Sequence, residues 1–126
     1  MAEKKNPGID MSIVFIYFND LARAMNFYED VLGFTLVIDQ GWTKIYQSST
    51  SGYIGLVDST RGFHKASEVK PLILCFRVPD VDAWYDRLQT QGVPILKDIK
   101  NSEELRIRAF LIEDPEGHTL EFQSVI

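Results

Sequence analysis

The chain has 126 residues, of which 45% are hydrophobic and 25% charged, a composition typical of one globular domain of ordinary size. Its formal net charge is −5, and no Lys/Arg cluster is large enough to neutralise several phosphates, which argues against nucleic acid as a partner. Cys75 is the only cysteine, which excludes a disulfide framework and a thiolate metal cluster.

The first ten residues, MAEKKNPGID, predict a flexible tail because they are polar and contain Pro and Gly. They lack the apolar core of a secretory signal, and no apolar run in the chain reaches the roughly 18 residues that a membrane span needs. We therefore expect a cytoplasmic protein with no membrane partner, built as a tail (1–10) and a single domain (11–126).

Two segments of the chain follow one plan: IVFIYFNDLARAMNFYEDVLGFTL (13–36) and ILCFRVPDVDAWYDRLQTQGVPIL (73–96). Each segment begins with a run of β-branched and aromatic residues, followed by an Asp. Apolar residues then recur with helical periodicity, and a Gly precedes the next apolar run. Asp20 and Asp80 are 60 residues apart. A near-constant offset over a whole unit indicates a duplicated module.

The first segment contains an amphipathic helix. Asp20, or Asn19 before it, can cap the helix by accepting a hydrogen bond from a free backbone N–H. Gly33 ends the helix because glycine adopts a positive φ at little cost. Between them, apolar residues recur at three- and four-residue steps and form one stripe: Leu21, Ala24, Met25, Tyr28, Val31 and Leu32.

The second segment repeats this arrangement. Asp80 caps the helix, Gly92 ends it 59 residues after Gly33, and Pro94 prevents its continuation. The stripe consists of Val81, Trp84, Tyr85 and Leu88. Both helices are expected to cover a sheet.

Four further strands are predicted in two hairpins, 42–47 with 51–57 and 106–113 with 118–126. Ser48, Ser49 and Thr50 form the first turn, and the sequence DPEG forms the second. Each half is therefore a strand, a helix and three strands, and the polar residues 58–70 join the halves.

These motifs carry a resemblance to a known family. NDLARAMNFYEDVLGF, the second capped helix and the closing DPEGHTLEF together resemble the vicinal oxygen chelate superfamily, which includes glyoxalase I, the extradiol dioxygenases, the fosfomycin-resistance thiol transferases and the bleomycin-resistance proteins. The resemblance covers residues 11–126. It implies an α+β fold of two βαβββ modules (11–57 and 71–126) whose mixed sheets form a cup, and it implies a homodimer.

In metal-dependent members, the ligands come from the first and fourth strands of each module. The corresponding positions here are Ile13, Gly55, Ile73 and Glu121, and only Glu121 has a donor atom. Divalent ions require several oxygen or nitrogen donors at once. We therefore predict no metal and no other cofactor, and Glu121 becomes a candidate catalytic acid or base, or a hydrogen-bond acceptor.

Strand alternation predicts what lines the cup. If Glu121 faces the cup, Thr119 and Gln123 do so too, while Leu120 and Phe122 pack beneath the helices. The same alternation, applied at the matched positions of the other strands, places three more groups of residues on the cup side: Ile13, Phe15 and Tyr17; Tyr53, Gly55 and Val57; and Ile73, Cys75 and Arg77. Gly55 predicts open space opposite Glu121, although a cup filled as a second core is the alternative. Trp42 could supply an aromatic wall, a dimer contact or packing.

For three other residues, a structural role is weighed against a functional one. His64 is a solvated loop histidine or a lid over the cup. His118 is expected to support the turn rather than the chemistry. Cys75 has no base or cation beside it in the sequence, which favours a buried, inert thiol.

An apolar, aromatic lining with few polar anchors is typical of small-molecule sites. It favours a metal-free protein, similar to the bleomycin-resistance branch, that sequesters a small hydrophobic or aromatic molecule. One alternative is a lyase, isomerase or dioxygenase that uses Glu121 as a base or holds a metal through displaced ligands. The other is an interaction module without a ligand.

Overall fold

Each half of the chain folds as a strand, a helix and three strands in the computed structural model, which describes residues 6–126. The first half contains β1 (Ile13–Phe18), α1 (Leu21–Asn26) with a π-helical continuation (Phe27–Val31), β2 (Thr35–Asp39), β3 (Thr43–Gln47) and β4 (Tyr53–Asp58). The second contains β5 (Ile73–Arg77), α2 (Val81–Thr90), β6 (Ile95–Ser102), β7 (Ile107–Glu113) and β8 (Thr119–Val125).

The strands form two four-stranded mixed sheets, in the orders β1-β4-β3-β2 and β5-β8-β7-β6. In each sheet the first strand runs parallel to the fourth, and the other pairs are antiparallel. The predicted α+β fold of two βαβββ modules is confirmed.

The two sheets have the same internal register. Phe15 pairs with Gly55 in the first sheet, and Cys75 pairs with Glu121 in the second. The first strands are thus related by the same 60-residue offset as the Asp residues that cap the helices. The match of Gly55 to Glu121, made from sequence, is confirmed by this register.

The N-terminal tail predicted for residues 1–10 is described only in part. Residues 1–5 lie outside the described residues, and residues 6–10 are exposed and belong to no helix or strand. Among residues 6–126, no helix is long and apolar enough to cross a membrane.

The first helix begins as predicted, since the Asp20 side chain accepts a hydrogen bond from the Arg23 N–H at 3.0 Å. It then widens, because the Leu32 N–H donates to the Phe27 carbonyl, five residues earlier, at 3.0 Å. This π-helical turn buries both Phe27 and Tyr28. The sequence pattern included Tyr28 but missed Phe27, because a period of 3.6 residues places only one of them on the apolar face.

The second helix agrees with its prediction at both ends. The Asp80 side chain accepts from the Ala83 N–H at 3.0 Å, and Gly92 has a φ of 77°. The following strand, β6, is longer than the apolar run predicted. It continues through polar residues to Ser102 as an exposed edge strand with two register shifts against β7.

Both modules contribute to one hydrophobic core on the helix side of the sheets. As the alternation predicted, Leu120 and Phe122 are fully buried there, together with Ile16, Phe18 and Leu56 of the first module. We call the opposite side of each sheet its open face. The residues predicted to line the cup lie on these open faces.

A buried carboxylate, Asp114, joins the modules at their boundary. Its Oδ2 atom accepts from the Tyr28 hydroxyl at 2.9 Å and lies 2.8 Å from His118 Nδ1. Its Oδ1 atom accepts from the backbone N–H groups of Glu116 at 3.0 Å and His118 at 2.9 Å. Burial, followed by the charge and hydrogen bond of Asp114, raises the pKa of Tyr28 well above its usual value. The expected structural role of His118 is therefore visible in its contacts.

We expect Asp114→Asn to destabilise the protein by about 3 kcal/mol, because the amide leaves buried donors without an acceptor. Tyr28→Phe should cost about 1 kcal/mol, since it removes one of the four hydrogen bonds. Urea unfolding followed by tryptophan fluorescence measures both. Asp82→Asn is the matched control, because Asp82 pairs with Arg108 at the exposed surface, and its unfolding midpoint should stay at the wild-type value. Equal midpoints for all three variants would contradict the role given to Asp114.

Candidate functional site

Glu121 lies on the open face of the second sheet, in a cavity of about 420 Å³ that we call the Glu121 cavity. β5 supplies Ile73 to its wall, and β7 supplies further apolar side chains, among them Ile107 and Leu111. Lys97 and Lys100 of β6 also line it. The cavity therefore has apolar walls with one carboxylate and two ammonium groups.

A hydrogen-bonded chain orients this carboxylate. Arg77 Nε donates to Gln123 Oε1 at 2.8 Å, and Gln123 Nε2 donates to Glu121 Oε2 at 2.6 Å. The amide of Gln123 thus connects a cation with an anion. The other carboxylate oxygen, Glu121 Oε1, accepts no hydrogen bond from any residue in the range 6–126. It remains available to a ligand.

Cys75 lies directly across from Glu121 in the strand register, and it is exposed rather than buried. The prediction of a buried thiol was wrong because β5 is an edge strand whose open face is not covered. Partial desolvation, followed by the nearby Glu121 carboxylate, raises the pKa of the Cys75 thiol, and Arg77 opposes this shift. A raised pKa leaves the thiol protonated near neutral pH, so it is a poor nucleophile.

The open space predicted at Gly55 is absent. A Cβ atom added to Gly55 would lie 2.4 Å from Cδ1 of Phe15 and 3.3 Å from Cγ2 of Ile13. The Phe15 ring therefore lies over Gly55, its partner in the neighbouring strand. Gly55 accommodates an aromatic ring within its own module and leaves no cavity opposite Glu121.

The predicted lining residues are divided among three cavities instead of one cup. Ile73 and Glu121 line the Glu121 cavity, while Tyr53, Cys75 and Arg77 line a second cavity of about 510 Å³, which also includes Ile73. Phe15 and Tyr17 line a third, of about 480 Å³, with both histidines. The other predicted residues line none of these three cavities: Ile13, Trp42, Gly55, Val57, Thr119 and Gln123.

The open face of β1 borders the segment that joins the two modules. Residues 64–67 and 69–72 line the third cavity together with Phe15 and Tyr17, and the Phe15 ring fills the space above Gly55. No residue of β1 lines the Glu121 cavity. Trp42, proposed as an aromatic wall, instead lies near Arg61, whose guanidinium carbon is 5.7 Å from the centre of the indole ring.

The residues at the metal-ligand positions do not fit a divalent cation. Ile13, Gly55 and Ile73 have no donor atom in their side chains, and the side chain that contacts the Glu121 carboxylate is the amide of Gln123. Within residues 6–126, no group of three or more His, Cys, Asp and Glu side chains is placed to hold a metal ion. One carboxylate without further donors binds such ions weakly.

Two structural contributions of this part of the chain could not be predicted from the sequence. The apolar run that predicts β6 ends at Leu96. Residues 97–102 contain a single apolar residue, Ile99, so no alternating pattern places Lys97 and Lys100 on a strand. Glu116 was read only as a turn residue, but its carboxylate accepts from the backbone N–H groups of Asn19 and Asp20, both at 2.8 Å. No local sequence signal indicates this contact, because the partners are nearly a hundred residues apart.

The amino-acid sequence was compared with known proteins. A curated relative, the uncharacterized protein YraH of Bacillus subtilis (strain 168), is 25% identical over 118 residues, which cover 86% of this chain and 92% of that protein. Its description assigns no activity.

Two solved structures show the same fold. Lactoylglutathione lyase from Agrobacterium tumefaciens has a TM-score of 0.74 at 21% identity, covering 94% of this chain and 96% of the other. The fosfomycin resistance protein FosX from Listeria monocytogenes has a TM-score of 0.74 at 15% identity, covering 94% of each chain. At these identities the likeness establishes the fold alone.

The sequence profile of a protein superfamily matches residues 11–122, nearly all of the region that folds into the two modules. The match agrees with the paired βαβββ architecture and with the common register of the two sheets. The chain therefore belongs to the Glyoxalase/Bleomycin resistance protein/Dioxygenase superfamily.

Proposed function

We propose that this protein binds a small aromatic or hydrophobic molecule without a metal and sequesters it in the Glu121 cavity. One observation carries the proposal: a carboxylate held by Gln123 presents a free oxygen to an apolar cavity at a position where metal-dependent relatives bind a cation. The partner positions Ile13, Gly55 and Ile73 supply no ligand atoms.

The chemistry of the cavity suggests how a ligand would be held. Its volume of about 420 Å³ lies within the range of small-molecule pockets. Ile73, Ile107 and Leu111 offer apolar contact to the body of the ligand. Glu121 Oε1 would accept a hydrogen bond from a hydroxyl or N–H group, which fixes the orientation of the ligand. A ligand without such a donor would leave the carboxylate desolvated and unpaired, at a cost in affinity.

The alternative is an enzyme of the same superfamily, a lyase, isomerase or dioxygenase, in which Glu121 is the base. The free Oε1 atom beside apolar walls favours this alternative, since a positioned carboxylate can remove a proton from a bound substrate. The names of two structural neighbours, a lyase and a resistance protein, are compatible with either function.

A thermal-shift screen of aromatic compounds should find ligands that raise the melting temperature equally with and without EDTA. At a ligand concentration 100 times Kd, the stabilisation is about 2.7 kcal/mol, or several degrees for a domain of this size. Glu121→Gln should reduce the shift strongly, because the amide no longer offers a charged acceptor. Asp86→Asn, which removes one exposed carboxylate from α2, should leave the shift unchanged.

Two results would reject the metal-free binding protein. One is the loss of ligand binding in EDTA together with about one equivalent of metal by elemental analysis. The other is catalytic turnover of the bound ligand that disappears in Glu121→Gln while ligand affinity persists, which would establish the enzyme instead.

Cys75 reports on the charge of Glu121 without any ligand. Because the Glu121 carboxylate helps to raise the pKa of the thiol, Glu121→Gln should lower that pKa and increase the thiolate fraction at pH 8. Alkylation by iodoacetamide, followed by mass spectrometry, should then proceed several-fold faster than in the wild type. An unchanged rate would show that the carboxylate does not act on the thiol as the structure indicates. Asp86→Asn again serves as the control.

We also propose that the protein is a homodimer whose second copy covers the open faces. Ile73 is 52% exposed and Phe15 is 42% exposed, although both lie on strands of the sheets. Large exposed apolar side chains on a sheet face are typical of a surface that another chain covers. A covering copy would shield the Glu121 cavity from water.

Sedimentation equilibrium should give twice the chain mass of 14.4 kDa. Ile73→Glu should weaken the dimer at least tenfold, because it places a carboxylate in the apolar contact. Val37→Glu, at a comparably exposed position on β2, should leave the mass unchanged. A monomeric wild type at 100 μM would exclude the dimer.

A further inference from the structure

We propose a second ligand site in the cavity between β1 and the linker, specific for a small aromatic acid that also carries a hydroxyl group. This linker cavity has a volume of about 480 Å³. Its polar lining residues are Tyr17, His64, Lys65, Ser67, Lys70 and His118. It is separate from the Glu121 cavity and shares no lining residue with it.

His118 is the first observation. Its side chain is almost completely buried, with 3% of the residue exposed, yet it lines the cavity. The Phe18 ring packs against the His118 imidazole, with 4.8 Å between the ring centres. On the other side, His118 Nδ1 lies 2.8 Å from the Asp114 carboxylate. Nε2 lies at the other edge of the imidazole ring, and no residue in the range 6–126 forms a hydrogen bond with it. Within residues 6–126, the fully buried side-chain polar atom that lacks a hydrogen-bond partner is the Tyr46 hydroxyl, so His118 Nε2 keeps access to the cavity and can meet a ligand there.

The charge of the lining is the second observation. The chain has a net charge of −5, but the linker cavity is lined by two lysines and two histidines and by no described Asp or Glu. Lys65 Nζ donates to the Ser59 carbonyl at 3.0 Å, which fixes the ammonium group and leaves it further N–H donors. Such a local excess of positive charge favours a carboxylate.

Lys70 contributes less specifically than Lys65. It lines the linker cavity, but it also borders an adjacent cleft that contains Asp20, Glu68 and Glu116. These carboxylates compete for its ammonium group. Lys65 and His118 are therefore the residues on which recognition depends most.

The remaining walls are apolar and aromatic. Phe15 and Leu72 line the cavity, and the Tyr17 ring meets the His64 ring edge-on with 5.6 Å between their centres. An aromatic ring would pack against these groups. The three features together define the ligand: an aromatic body, a carboxylate that binds Lys65, and a hydroxyl that donates to His118 Nε2.

Hydroxybenzoates are suitable probes, and the two histidines of the chain make the site easy to observe. In protein labelled with ¹³C-histidine, the imidazole region contains two Cε1–H signals, which His64→Gln assigns. Addition of 3-hydroxybenzoate or 4-hydroxybenzoate at pH 7.5 should shift the His118 signal in a saturable manner. Benzoate lacks the hydroxyl, and 4-hydroxybenzamide lacks the charge; each should bind at least fivefold more weakly.

Variants separate this site from the Glu121 cavity. Lys65→Gln should weaken hydroxybenzoate binding at least fivefold, and Lys70→Gln should weaken it by a smaller factor. Lys97→Gln, the matched change in the Glu121 cavity, should have no effect. The proposal is overturned if the His118 signal does not shift at 10 mM of either hydroxybenzoate. It is equally overturned if Lys97→Gln reduces binding while Lys65→Gln and Lys70→Gln do not. The second outcome would place the hydroxybenzoate in the Glu121 cavity and support the function proposed there, so the two proposals fail on different results.

Discussion

The arrangement of the two modules depends on the buried carboxylate of Asp114. A charge in a protein interior is tolerated only when its lone pairs are satisfied, and four donors satisfy this one. Tyr28 comes from the first module, while Glu116 and His118 belong to the same turn as Asp114. The turn is therefore rigid in itself and bound to the other module. Two residues further along, the Glu116 carboxylate holds the start of α1, so helix and hairpin are fixed together.

This constraint extends to both proposed ligand sites, because β8 begins immediately after the turn. Glu121 is three residues beyond His118, and its orientation follows from the strand register that the turn initiates. His118 faces the linker cavity with one edge and Asp114 with the other. The same few residues thus stabilise the core, orient a carboxylate on the open face and supply an imidazole to the linker cavity.

Much of the fold could be predicted from sequence because it depends on local chemistry. Capping by Asp20 and Asp80, and the alternation that buries Leu120 and Phe122, need only the spacing of residue types. The candidate site was harder to predict from sequence. Strand alternation identifies the sheet face on which a side chain lies, but it does not show which other residues cover that face. The Phe15 ring over its cross-strand neighbour removed the space predicted there. The residues that the repeat places in one cup line different cavities, and the cavity that borders β1 is lined by the segment joining the modules.

The absence of donor atoms at Ile13 and Ile73 determines what kind of chemistry the Glu121 cavity can support. A metal centre polarises its substrate through a fixed positive charge. The Glu121 carboxylate can only accept a hydrogen bond or a proton, and the positive charges that line its cavity are the ammonium groups of Lys97 and Lys100. Specificity must then come from the cost of burying that carboxylate without a partner, which penalises every ligand that lacks a donor at the matching position. Such a site discriminates by hydrogen bonding and shape. For this reason the Gln123 amide and its Arg77 partner, which fix the free oxygen in place, matter as much as Glu121 itself.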